Sequence, residues 1–158
     1  LSIRRQRQMC IRDRYCVMGM KQFADHILAV ARENQIEVTN LSLQKIMYFV
    51  IRNSTGVIDM EVQNEIYNEP FLVWRYGPVV KSQYERFSMF GSDPIKGDFE
   101  RERNYNLLNN LILIFLNTNV FRMVNASHTH PFWKANEGRI QFGRSNIEYP
   151  LEMVLRNA

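Results

Sequence analysis

The chain has 158 residues, 46% of them apolar and 12% aromatic, so a single domain can bury a core large enough to offset the entropy lost on folding. No apolar run exceeds the six residues of 111–116, far short of the roughly 20 that a membrane-spanning helix needs. The net charge of +4 does not mark a nucleic-acid-binding body, because residues 1–17 hold five arginines against Asp13 while the remaining 141 residues balance 15 basic against 15 acidic groups.

Residues 1–17 have no helical or strand periodicity and a composition unlike the rest. They also hold both cysteines, Cys10 and Cys16, at a spacing that fits neither a CxxC redox motif nor a zinc knuckle. They are expected to be a non-native or disordered basic leader, with the domain running from residue 18 to 158 and Met18 or Met20 as its start. The functional alternative is a basic nucleic-acid arm. No apolar stretch follows the arginines before Lys21, as a secretory signal would require, and a cytoplasmic location is expected.

From Lys21 to Glu33, Phe23, Ile27, Val30 and Ala31 recur at intervals of three and four, with Leu28 beside them, which predicts a first helix. Thr39 or Asn40 can cap a second, whose stripe is Leu43, Ile46, Met47 and Val50, before Ser54, Thr55 and Gly56 end it. Residues 57–70 are mixed and polar, and the Asn-Glu-Pro of 68–70 turns the chain into the apolar run Phe71 to Trp74. That run reads as a strand, paired with residues near 57–60 in a small hairpin.

Gly77 and Pro78 then punctuate the chain, and Pro78 suits the first turn of a third helix carrying Val80, Tyr84 and Phe87, ended by Gly91 and Asp93-Pro94. Residues 92–103 read as an exposed, charged loop. Leu107, Leu108, Leu111, Ile112 and Phe115 make a helical stripe; LILIFL alone also fits a buried strand, but the length from Asn104 to Asn117 and its asparagines favour helix. A shorter helix is predicted over Val120–Val124 and a terminal one over Pro150–Arg156. The fold class is therefore mainly α, one compact domain of about five or six helices with a short β element near residues 57–60 and 71–75.

Few residues invite chemistry. His128 and His130 form a local pair of metal-type ligands, but a zinc centre needs three or four and no cysteine or carboxylate completes a spacing. The structural alternative is that His130 bonds a backbone carbonyl beside a buried tryptophan. Ser82 and Ser127 lie in no nucleophile elbow, no glycine pattern fits a phosphate loop, and Glu100 and Glu102 sit in a charged loop. No enzyme, cofactor or metal is expected. Lys45 and Tyr48 flank the stripe of the second helix, each with an apolar body and a polar tip. Trp74 and Trp133 read as core or contact, whereas Arg75 and Tyr76, at a turn, are of the types enriched in binding hot spots.

Three fragments in order, TNLSLQKIMYFV (39–50), EPFLVWRYGPVV (69–80) and SHTHPFW (127–133), together resemble the Panacea domain. This is the SocA-like antitoxin domain of bacterial and phage toxin–antitoxin pairs, also described as phage-associated GepA-like proteins. The resemblance spans about Phe23 to Trp133 and is expected to continue to the C-terminus, so it covers most of the chain. It implies a mainly helical antitoxin that neutralises a cognate toxin, encoded by the adjacent gene, by direct protein binding; the SocA type instead delivers its toxin to a Clp protease as an adaptor. Leu43, Gln44, Lys45, Tyr48, Trp74, Tyr76, Gly77, Pro78, His130 and Trp133 are its signature positions, with Leu43, Gly77 and Pro78 structural. Lys45, Tyr48, Arg75 and Tyr76 are expected to touch the partner. The last fragment departs from the pattern, because Phe132 separates His130-Pro131 from Trp133, which leaves open whether His128 or His130 fills the family's position. A DNA-binding regulator is the third reading, disfavoured by the balanced charge of residues 18–158.

Overall fold

The computed structural model describes residues 19–155, so the leader of residues 1–17 and the expected end of the last helix at Arg156 lie outside the described residues. The elements are α1 (Met20–Glu33), α2 (Asn40–Arg52), α3 (Met60–Ile66), β1 (Leu72–Trp74), β2 (Gly77–Val79), α4 (Lys81–Arg86), α5 (Asn109–Leu116), α6 (Val120–His128), α7 (Pro131–Asn136) and α8 (Leu151–Val154). Short 3-10 segments cover Ser88–Phe90, Arg103–Leu108 and Glu137–Arg139. The domain is mainly helical with one small two-stranded sheet, as the apolar patterning predicts.

Helix α2 is the axis of this arrangement. Thr39 and Ser42 build a capping box in which each side chain accepts from the other's backbone N–H, satisfying two donors orphaned at the helix start. Beyond the cap, every residue from Leu43 to Ile51 is buried, so α2 is covered on all sides rather than along one stripe. Helices α1, α5 and α6 and strand β2 are among the elements packed on it. Phe23 and Tyr105 meet edge to face at 5.9 Å on the α1 side, and Tyr48, Phe71 and Tyr149 form an aromatic cluster on the other.

Four expectations are corrected. Strand β1 pairs with β2, Leu72 opposite Val79 and Trp74 opposite Gly77, and not with residues 57–60, which hold only an isolated bridge from Ile58 to Thr55 and the start of α3. The chain can reverse so tightly because Gly77 takes φ +101, a conformation that side-chain-bearing residues rarely adopt. Pro78 therefore lies inside β2, where a two-stranded ribbon tolerates its missing N–H, and α4 begins only at Lys81.

Leu107 is 69% exposed although the helical stripe places it in the core. Residues 103–108 are 3-10, with three residues per turn, so the phase slips and Leu108, Ile112 and Leu116 face inward instead. Helix α6 runs past Val124 to His128, capped by the Asn119 side chain, and α7 follows with Pro131 in its first turn, a helix the apolar pattern does not reveal. The charged segment 92–103 is largely exposed, as expected, and is anchored at two points: the Ile95 N–H donates to the Val38 carbonyl at 2.8 Å, and the Glu102 N–H donates to His26 Nδ1 at 2.9 Å. His26 is thereby fixed as the Nε2–H tautomer, bonded to Asn109 Oδ1 at 2.7 Å, and burial lowers its pKa. No single helix among the described residues is long and apolar enough to cross a membrane.

Candidate partner-binding site

The β1–β2 hairpin is too short to be stable on its own backbone bonds. It is held by side chains from two distant segments and by the backbone of a third. From α2, the Lys45 amine donates to the Pro78 carbonyl at 2.7 Å and Gln44 Oε1 accepts from the Val80 N–H at 2.9 Å. Gln44 in turn donates to Asn40, whose own amide donates to the Tyr84 carbonyl at 2.9 Å, so one face of α2 fixes β2 and α4 together. From the α6–α7 region, the Trp133 indole donates to the Trp74 carbonyl and His128 Nε2 to the Arg75 carbonyl, both at 2.9 Å. A third set comes from residues 143–147: the Arg75 N–H donates to Gly143 and the Val73 N–H to Ile147, while the Trp74 indole donates to the Ser145 carbonyl.

Lys45 is fully buried with no carboxylate partner among the described residues. Loss of hydration pushes its pKa down from 10.5 to about 7, so near neutrality the uncharged amine carries much of the population. Gly77 is adapted to it from the other side. A Cβ at Gly77 would overlap the Ser127 hydroxyl and come within 3.1 Å of Lys45 Cε, so the close approach of strand, lysine and serine needs the absence of a side chain. Ser127 itself is fully buried and bonds the Val124 carbonyl. The sequence gives no hint of its part in this contact.

The two histidines divide the roles that sequence assigned to one. His128, not His130, bonds a backbone carbonyl beside the buried tryptophan; its ring stacks on Trp133 with centroids 3.9 Å apart. Because a carbonyl can only accept, His128 carries its proton on Nε2. His130 Nδ1 instead shares a hydrogen bond of 2.7 Å with the Tyr48 hydroxyl, against which its ring also stacks. Burial, with the nearby Arg52 charge, pushes the His130 pKa down to about 4, and burial raises that of Tyr48 to about 12, so this pair stays neutral across the physiological range.

These positions settle which expected contact residues reach the surface. Lys45 and Tyr48 are wholly inside and are corrected from contact to support, because α2 has no outer face once β2, α5 and α6 cover it. Trp74 and Trp133 are buried, as the packing alternative has it, and Leu43 and Pro78 are buried as structural positions should be. Arg75 and Tyr76 alone of the expected contacts project, with Tyr76 52% exposed at the tip of the hairpin. A groove of about 350 Å³ on one side of that tip is lined by Trp74, Tyr84, Phe142 and Arg144, and one of about 370 Å³ on the other by His128, Trp133, Glu137 and Ile140; Arg75 and Tyr76 line both. Phe142 and Arg144 are missed by sequence reasoning, although Phe142-Gly143 between polar residues is a turn signal.

Among the described residues no three of His, Cys, Asp or Glu gather as a metal site would require. No family model, no curated protein and no solved structure matches the chain.

Proposed function

We propose that this protein is an antitoxin that neutralises a cognate toxin by direct binding in the cytoplasm, acting as a binding protein and not as a catalyst, with the Arg75–Tyr76 tip as its contact surface. One observation carries the reading. The three fragments that resemble the Panacea signature lie far apart in sequence, yet side chains of the first and last converge on the backbone of the second: Gln44 and Lys45 hold Val80 and Pro78, and His128 and Trp133 hold Arg75 and Trp74. Residues that serve only a core would bury apolar surface; these spend buried polar groups on fixing a turn whose tip is exposed. A pre-organised tip bearing arginine and tyrosine loses little entropy on binding, which favours protein recognition.

The test is co-expression of the full chain with the protein encoded by the adjacent gene, scoring growth rescue and co-purification together. Rescue with a stable complex supports sequestration. Rescue with accelerated loss of the neighbour, dependent on a Clp protease, would replace it by the adaptor mechanism, and a harmless neighbour that does not bind would remove the antitoxin reading.

A further inference from the structure

Phe142 is an exposed aromatic outside the three signature fragments. It is fully exposed, and its φ of +53 is a left-handed conformation that bulky residues rarely adopt. Gln141 and Arg144 close this turn through reciprocal backbone bonds of 2.8 and 3.1 Å, with Gly143 at φ +81, the geometry of a two-residue reverse turn that favours Asn-Gly over Phe-Gly. Phe142 thus combines a ring that gains no burial with a disfavoured backbone, which makes it a candidate for contact with something outside the chain.

The turn is not separate from the hairpin tip. The Arg75 N–H donates to the Gly143 carbonyl at 2.9 Å, and Tyr76, Phe142, Arg75 and Arg144 line the same groove. Both guanidiniums lie over aromatic faces, Arg75 at 5.5 Å from the Tyr76 centroid and Arg144 at 4.4 Å from that of Trp74. Neither takes part in an ion pair among the described residues. Stacking occupies the flat face of a guanidinium and leaves its N–H edge free for a bidentate carboxylate.

Resting on the antitoxin reading, we propose that the 141–144 turn and the 75–76 tip form one two-pronged anchor for an acidic protein surface, with Tyr76 and Phe142 entering an apolar socket and Arg75 and Arg144 pairing carboxylates at its rim. A protein fits better than a nucleic acid. A phosphodiester backbone calls for a track of cations, whereas this face offers two and the other groove carries Glu137.

The experiment measures the affinity of the full chain for the adjacent gene's product by titration calorimetry for wild type, Phe142→Asn, Arg144→Glu and Arg144→Lys. Asparagine suits the left-handed position, so Phe142→Asn should keep or raise thermal stability while the Kd rises at least about tenfold. Arg144→Glu should weaken binding by a similar or larger factor and Arg144→Lys by less. Wild-type binding that all three variants retain would overturn the two-pronged anchor and leave the antitoxin reading standing. Absence of wild-type binding would fell the antitoxin reading and the anchor with it. Salt-sensitive capture of a labelled single-stranded DNA 20-mer, lost in Arg144→Glu, would overturn the protein partner in favour of nucleic acid.

Discussion

Lys45 and Gly77 fit each other by exclusion: the lysine stem and amine fill the space where a side chain on Gly77 would stand, 3.1 and 3.3 Å from its Cβ position. Gly77→Ala adds this crowding to the overlap with Ser127 and to a φ of +101. The expected loss is about 3 kcal/mol, combining backbone strain and overpacking, seen as a lower midpoint in urea at unchanged slope.

The buried amine gives the protein an alkaline preference. Its folded pKa is lowered to about 7 from 10.5, so over that interval the unfolded chain binds more protons than the native one. The stability linked to Lys45 is complete above the unfolded value and is lost as pH falls toward about 7. Unfolding free energy should therefore climb between pH 7.5 and 9.5 with a slope approaching about 1.4 kcal/mol per unit, the value for one proton. Lys45→Met should flatten that climb, whatever its effect on stability at a single pH; an unchanged slope would mean that the lysine is hydrated.

A second dependence belongs to His130. With its pKa pushed down to about 4 against 6.5 in the unfolded chain, its contribution is complete above pH 6.5 and is lost as pH falls to about 4. Imidazole resonances followed by NMR should show His130 unprotonated at pH 5.5. Tyr48→Phe removes the hydroxyl that pairs with Nδ1 and is expected to cost roughly 1 to 2 kcal/mol in denaturant.

Periodicity made α1 and α2 legible, because each is an unbroken α-helix whose apolar stripe keeps one phase and whose start carries a recognisable cap or run. It misplaced Leu107, since a 3-10 segment changes the number of residues per turn without changing composition. Gly77-Pro78 reads locally as a helix start, and what holds it in a strand instead lies elsewhere, in Lys45 and Gln44 reaching β2 and Val80 across the fold. Likewise nothing local in a lysine beside an apolar stripe says that it is fully buried; its burial depends on a carbonyl 33 residues away. Arg75 and Tyr76 were identifiable because their exposure follows from the turn itself, and turn chemistry is local.

At the tip, Tyr76→Ala and Arg75→Ala should separate binding from folding. Both side chains project, so each is expected to change stability by less than about 0.5 kcal/mol. Together they should, on the proposed function, reduce affinity for the adjacent gene's product by about 2 kcal/mol or more, a Kd some thirtyfold higher, measurable by calorimetry on the purified pair. Retained protection in cells expressing the double variant would exclude this surface.

The clamp from α6 and α7 also determines how damage spreads. Trp133 and His128 grip carbonyls of Trp74 and Arg75 that lie 59 and 53 residues earlier in the chain. A protease that cuts near Thr129, or a nascent chain that stops before α7, therefore weakens the hold on the tip without touching it: the tip's full set of bonds exists only in a chain whose distant segments have all arrived and remain joined.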